Sequence, residues 1–172
     1  MTAALAAPVL ETARLTLRLP RPEDAAVVTA FYASDRARFI GGPVPADTAL
    51  GYLDNSLRNW ASRGHGWWMI EDRATGRVAG RCGIGYPWGP ETPELGWQVY
   101  DGFEGRGLAH EAAGAALAHA QGAWGLRGIV SLIHPDNARS RRLAARLGAR
   151  FDRLGEIEGD PCEVWLHREG AA

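Results

Sequence analysis

The sequence predicts an α+β (mixed α/β) fold, a central and mostly antiparallel sheet with helices on its flanks. Two observations predict it. Apolar residues alternate with period two in some stretches and recur at three- and four-residue steps in others, the first kind grouped before and after a βαβα order. No linker, repeat or low-complexity tract interrupts the 172 residues, a length that one hydrophobic core can serve. Residues 1–172 are therefore read as a single domain, with residues 1–10 expected to be flexible.

Leu15, Leu17 and Leu19 alternate in a first strand that Pro20 ends. Arg21-Pro-Glu-Asp24 then starts a helix carrying Ala26, Val27, Ala30 and Phe31. A second helix is predicted from about Ala46 to Arg63, with Leu50, Leu53, Leu57 and Trp60 along one stripe. Trp68 to Ile70 and Val78 to Ile84 read as a hairpin joined through Ala74-Thr-Gly-Arg77. The strand Glu94 to Tyr100 follows, where Leu95, Trp97 and Val99 alternate with Gly96 and Gln98. Ala112, Ala116, Leu117 and Ala120 mark a narrow apolar helix face after it. Ile129 to Ile133 is a buried strand, Leu143, Ala144 and Leu147 mark a helix closed by Gly148, and Cys162 to His167 is a last strand.

Between the strand at 94–100 and the alanine-rich helix lies Glu104-Gly-Arg-Gly-Leu-Ala109. Glycines 105 and 107 remove Cβ atoms where a ligand must approach the backbone, and the free N–H groups of the following first turn face any phosphate there. The dinucleotide fingerprint does not fit, because His110 stands where a third small residue is needed. The nucleotide P-loop does not fit either, since the chain contains no lysine. A pyrophosphate cradle of another kind remains, beside the alternative of a tight turn with no ligand.

A second motif, Pro135-Asp-Asn137-Ala-Arg-Ser140, lies between a strand and a helix, where Asn137 or Ser140 can serve as an ordinary N-cap. Strand, glycine turn, helix, strand, Pro-x-Asn-x-x-Ser and a helix ending in Leu-Gly together resemble the GNAT superfamily of acyl-CoA-dependent N-acetyltransferases, and within it the ribosomal-protein N-terminal acetyltransferase branch. The resemblance runs from Glu11 to His167. It implies acetyl-CoA as co-substrate, with Glu104, Gly105, Arg106, Gly107, Leu108 and Ala109 as the cradle and Asn137 and Ser140 on the pantetheine arm. It implies too that backbone N–H groups of Trp97, Gln98 and Val99 hold the acyl group and its oxyanion. Glu104 departs from the Gln or Arg of the pattern, an acid that is unfavourable beside phosphates unless its side chain turns away.

Acetyl transfer to an amine needs a base, and two carboxylates are candidates. Glu156, in Gly155-Glu-Ile-Glu-Gly-Asp160, falls where the ribosomal-protein branch is thought to carry one. Glu94, at the start of the central strand, is the alternative. Each has a bland reading, an exposed acidic hairpin for the first and a strand-edge charge for the second. Many members protonate the leaving thiolate with a tyrosine seven residues after the asparagine. Ala144 stands there, which leaves Ser140 as the acid.

The resemblance implies an acceptor groove bordered by Tyr32, Trp60, Trp67, Trp68 and Trp88, although such aromatics also build cores. A protein N-terminus is the leading acceptor, favoured as a cation by the acidic run from Glu156 to Glu163; a small amine such as an amino acid, polyamine or aminoglycoside is the alternative. A non-catalytic acyl-CoA-binding module is a further reading, kept open by Glu104 and the missing tyrosine. Arg106 or one of Arg139, Arg141, Arg142, Arg146 and Arg150 is a candidate partner for the 3′-phosphate, against a solvated helix face.

Composition agrees. A net charge of −1 argues against a nucleic-acid partner, and no run of about 18 apolar residues suggests a membrane span. The stretch Met1 to Pro8 lacks a basic start and a long apolar run, so no signal peptide is expected. Cys82 and Cys162 read as buried thiols in a reducing cytoplasm. The five histidines show no ligand spacing, so no metal is expected. The expected partners are thus acetyl-CoA and an amine, with a homodimer as an allowed assembly.

Overall fold

The computed structural model describes residues 7–170. Eight strands form one sheet: β1 (Leu10–Glu11), β2 (Leu15–Arg18), β3 (Trp67–Asp72), β4 (Val78–Gly85), β5 (Glu94–Val99), β6 (Val130–Ile133), β7 (Arg150–Ile157) and β8 (Asp160–Leu166). Their order is β1-β2-β3-β4-β5-β6-β8-β7, and every neighbouring pair is antiparallel except β5 with β6. Four α-helices accompany it: α1 (Ala25–Tyr32), α2 (Ala46–Arg63), α3 (Leu108–Gly122) and α4 (Ala138–Arg146).

The single parallel pair is the feature that positions the site. α3 is the crossover from β5 to β6, as a parallel pair requires. β5 and β6 share only the register Glu94 with Val130 and then separate. Ser131 stands where they part: its Oγ donates to the carbonyl of Leu95 at 2.6 Å and lies 2.8 Å from Nε2 of His167. A hydroxyl with its hydrogen spent on Leu95 must accept from the ring, so His167 carries its proton on Nε2. Burial, which lowers the pKa of His167 to about 4, keeps it neutral.

Side chains of β5 divide between the two faces of the sheet. Leu95 packs beneath the narrow face of α3, with Ala112, Ala113, Ala116 and Ala120 fully buried beside it. The alanines let the helix lie close over the sheet. Tyr100 lies on the opposite face with Phe31, Tyr32, Leu53 and Met69, under α1 and α2. α2 has the predicted bounds, yet its buried residues are Ala49, Leu53, Ser56 and Trp60. The helix is turned from the predicted stripe because Ser56 exchanges two hydrogen bonds with the main chain of Trp67, each 3.1 Å, while Trp60 Nε1 donates to the same carbonyl.

Residues 1–6 of the segment expected to be flexible lie outside the described residues. Its remainder is docked: Leu10 pairs with Leu17, and the carbonyl of Pro8 accepts from Trp68 Nε1 at 2.8 Å. Besides β1, two elements were given no bounds from the sequence. A 3-10 helix at Asp35–Ile40 follows α1, and β7 closes the sheet with an edge too exposed to show alternation. Cys82 and Cys162 are buried free thiols, and burial pushes both upward in pKa. Among the described residues no helix is long and apolar enough to cross a membrane.

Candidate active site

The divergence of β5 and β6 opens a groove of about 1180 Å³. Which main-chain groups face it follows from the ladder. Pro93 accepts from the amide of Val130 at 3.0 Å and Leu95 from Ser131, so odd-numbered residues of β5 turn their main chain toward β6. Even-numbered residues turn toward β4, as the 2.8 Å bond from Tyr100 N to Ala79 O confirms. Beyond Leu95 no β6 partner remains. The amides of Trp97 and Val99 therefore open onto the groove, pre-aimed donors of the kind that stabilise a developing oxyanion.

Gln98 lines the groove as well, but it does not offer the free amide expected of it. Its main chain is spent on Arg81 of β4, and its side chain points through the other face to donate to Tyr32 Oη at 2.6 Å.

The end of the groove is floored by the glycine turn and the start of α3. Gly105 and Gly107 have φ of +71° and +75°, and a Cβ at 105 would meet nothing while one at 107 would come no closer than 3.6 Å to Arg14. These glycines are thus required by backbone conformation, and their open side is free for a ligand. Gly107 is the N-cap and provides no side-chain cap. The first intrahelical bond runs from Glu111 N to Gly107 O, so the amides of Leu108, Ala109 and His110 have no helical partner and point out of the N-terminus.

Glu104 lines the groove beside this anion site with its charge met. Its carboxylate is ion-paired with Arg36, whose other nitrogen donates to Val99 O at 2.7 Å. Sequence reasoning missed Arg36, which lies on the short 3-10 helix. The arginine neutralises the departing acid and ties the cradle to the end of β5.

Arg106 corrects another expectation. Its guanidinium lies over Phe103, 5.6 Å from the ring centre, and 3.8 Å from Asp72, and it does not line the groove. Arg139, Arg142 and Arg146 of α4 do line it, together with His110 of α3. Arg141 is instead paired with Glu163 at 3.0 Å.

On the opposite wall Asn137 caps α4, its Oδ1 accepting from Ser140 N at 3.2 Å. The cap uses the amide oxygen and leaves the NH₂ for a ligand; the N-cap and binding readings coexist. Ser140 Oγ accepts from Trp97 Nε1 at 3.2 Å, which leaves its own hydrogen to donate into the groove that it lines.

A second, open cavity of about 400 Å³ lies on the α1/α2 face. Its floor is the indole of Trp67, which rests on Gly96: a Cβ there would lie 2.3 Å from the ring. Tyr32, Tyr52 and Tyr86 stand round it, with Arg81 and Gln98 from the sheet. The other aromatics expected at an acceptor groove lie elsewhere. Trp60 and Trp68 are core, and Trp88 packs on Gly155 and donates to Glu156 O at 2.9 Å.

Glu94 lines both cavities, the only carboxylate to do so among the described residues. Its Oε2 and Trp67 Nε1 converge over Gly85, 3.7 and 3.3 Å from the Cβ position there. Burial raises its pKa to about 7, against a smaller opposing effect of a hydrogen bond from the backbone of Leu132. Glu156 is not brought to the site. It is exposed on β7, opposite Pro161, and lines neither cavity, because the edge hairpin carries it outward.

Comparison with known proteins agrees with this geometry. The GNAT acetyltransferase domain profile matches residues 14–150. The fold is similar to the crystal structure of an acetyltransferase from Agrobacterium tumefaciens, at 37% identity and a TM-score of 0.86 over 94% of each chain. In sequence the chain is similar to an N-acetyltransferase of Bacillus subtilis named YoaA, 26% identical over 145 residues and 82% of each chain. The fold is also similar to the ribosomal L7/L12 alpha-N-protein acetyltransferase RimL in complex with coenzyme A, with a TM-score of 0.76 at 15% identity, covering 93% of this chain and 97% of that one.

Proposed function

The chain belongs to the GNAT acetyltransferase family, and from that premise we propose that it moves an acetyl group from acetyl-CoA in the β5/β6 groove to a primary amine seated over Trp67, with Glu94 as the base. The observation that carries this reading is the position of Glu94 between the two cavities. A carboxylate with a pKa near 7 is half ionised at neutral pH and is matched to taking a proton from an ammonium.

The pyrophosphate would rest on the amides of Leu108 to His110, with Asn137 on the pantetheine arm. The thioester carbonyl would face the amides of Trp97 and Val99. The acceptor ammonium has two protons to lose. Glu94 takes the first and returns it to solvent, and the freed nitrogen attacks the thioester carbon. As the tetrahedral intermediate collapses, the carbon–sulfur bond breaks and the nitrogen's second proton goes to the thiolate. Ser140, free to donate, hydrogen-bonds the sulfur meanwhile.

For the acceptor, the α-amino group of a protein N-terminus is the reading supported by the ribosomal-protein acetyltransferases among the neighbours in fold. A small-molecule amine is the second reading, favoured by the modest size of the acceptor cavity. Calorimetric titration of acetyl-CoA, followed by a transfer assay across N-terminal peptides and small amines, tests both. Micromolar binding with turnover supports the enzyme, and binding without any turnover would leave only an acyl-CoA-binding module.

A further inference from the structure

The acceptor cavity contains a cation that nothing in the reaction above uses. Arg81 stands on β4 beside Gln98, lines the cavity and is only 3% exposed. Among the described residues it has no ion-pair or hydrogen-bond partner, and its Nε is buried with none. Its Cζ lies over the ring of Trp67, 5.4 Å from the ring centre. The other buried arginine of the sheet, Arg18, is treated differently by the fold: Asp24 accepts from it at 2.9 and 3.0 Å and Glu71 at 2.6 Å. A buried guanidinium is costly unless its charge is met, and its planar fork of donors matches a carboxylate. Gln98 Oε1 and Tyr100 Oη, on the same sheet face, are likewise buried without partners.

We propose that Arg81 recognises a carboxylate on the acceptor, so that the substrate class is an amine that also carries a carboxylate. This rests on the acetyltransferase reading. The two charged groups occupy different sides of one indole: Glu94 converges with the Nε1 edge of Trp67 over Gly85, whereas Arg81 lies over the ring face. An ammonium at the first and a carboxylate at the second complement the cavity in sign at both ends. Two sources provide that chemistry. One is the α-carboxylate of a free amino acid, and the other is an acidic side chain close behind the α-amine of a peptide.

Matched pairs of acceptors test the proposal with the whole protein and acetyl-CoA. Free amino acids are compared with their amides, and N-terminal peptides bearing Asp or Glu at the second or third position with their Asn or Gln counterparts. The carboxylate member is expected to have a kcat/KM at least tenfold higher in one of the two series, and the series that responds identifies the source. Arg81→Gln is expected to cut that ratio at least tenfold, and Arg81→Lys to restore part of it. Equal use of both members by the wild type would overturn the proposal without any variant, and so would an unchanged ratio in folded Arg81→Gln. Either result leaves the acetyltransferase reading standing, because the amide members are still acetylated. Absence of turnover for every amine would overturn both.

Discussion

The two cavities are built from different materials. The β5/β6 groove is made mostly of main chain: amides left free by diverging strands, amides left free at a helix start, and glycines with positive φ. The cavity over Trp67 is made of side chains drawn from α1, α2, β3, β4 and β5. A main-chain site depends little on which side chains flank it. A side-chain site changes with every substitution and is where substrate choice resides.

The largest test of this division is at the point where the cavities meet. Glu94→Gln is expected to lower kcat by 10²-fold or more, the ordinary worth of a positioned base, with acetyl-CoA affinity retained. In the wild type kcat/KM should fall as pH drops through about 7, where Glu94 takes up its proton, and the variant should lack that limb. Stability moves the opposite way. A carboxylate whose folded pKa is raised binds more protons when folded, so its contribution is fully present below the ordinary carboxylate value and is lost as pH rises through about 7. Glu94→Gln should therefore stabilise the protein at pH 8, on the order of 1–3 kcal/mol, which melting curves at pH 5 and pH 8 would check. Glu156→Gln should change neither; a large loss of kcat there would return the base to the edge hairpin.

Next in size is the cradle. Gly107→Val places a β-branched residue at φ +75°, a strain of about 1–3 kcal/mol, although the protein itself leaves room for the new Cβ. The branched side chain occupies the ligand's side of the turn, so acetyl-CoA affinity should fall more than tenfold while the melting temperature falls modestly. Unaltered affinity in calorimetry would mean that the main-chain site lies elsewhere.

The same contrast explains what was legible. The cradle could be read because a strand, two glycines and a helix start are contiguous, and each part has a local signature. Asn137 and Ser140 belong to one short motif for the same reason. Arg81 left no such trace, since strand register and not sequence distance brings it beside Gln98, whereas Tyr32 was expected at the acceptor cavity from the resemblance and lines it. Arg36 was hidden in a 3-10 helix too short to show a period. For α2 the limits were legible but not the rotation, because Ser56, a polar residue, is buried by its bonds to Trp67. Glu156 was put before Glu94 because the resemblance implies a base at its position, whereas solvent exposure and cavity walls, which separate the two, are properties of the folded sheet.

Ser140 tests whether one wall of the groove takes part in the chemistry. Ser140→Ala removes the acceptor of Trp97 Nε1 and the hydroxyl offered to the leaving sulfur. A neutral hydrogen bond is worth about 0.5–1.5 kcal/mol, so kcat should fall by roughly three- to tenfold by the same conversion. Replacement of acetyl-CoA by a donor with a more acidic leaving thiol should shrink that loss. An effect on acetyl-CoA affinity alone would reduce Ser140 to a binding contact.

The smallest effect is expected at the one acid in the cradle. Glu104 and Arg36 are both part-exposed, so their ion pair contributes little to stability, about 1 kcal/mol at most. Its role is electrostatic placement: while Arg36 holds the carboxylate, the turn presents amides and not a negative charge to the phosphates. Arg36→Ala frees Glu104 and deprives Val99 O of its donor, which should raise the KM for acetyl-CoA several-fold. If repulsion is the cause, adding Glu104→Gln to Arg36→Ala should recover most of the loss, and raising the salt concentration should recover part of it. If the double variant is as weak as Arg36→Ala, Arg36 acts through the end of β5, and the main-chain site owes its shape to a side chain after all.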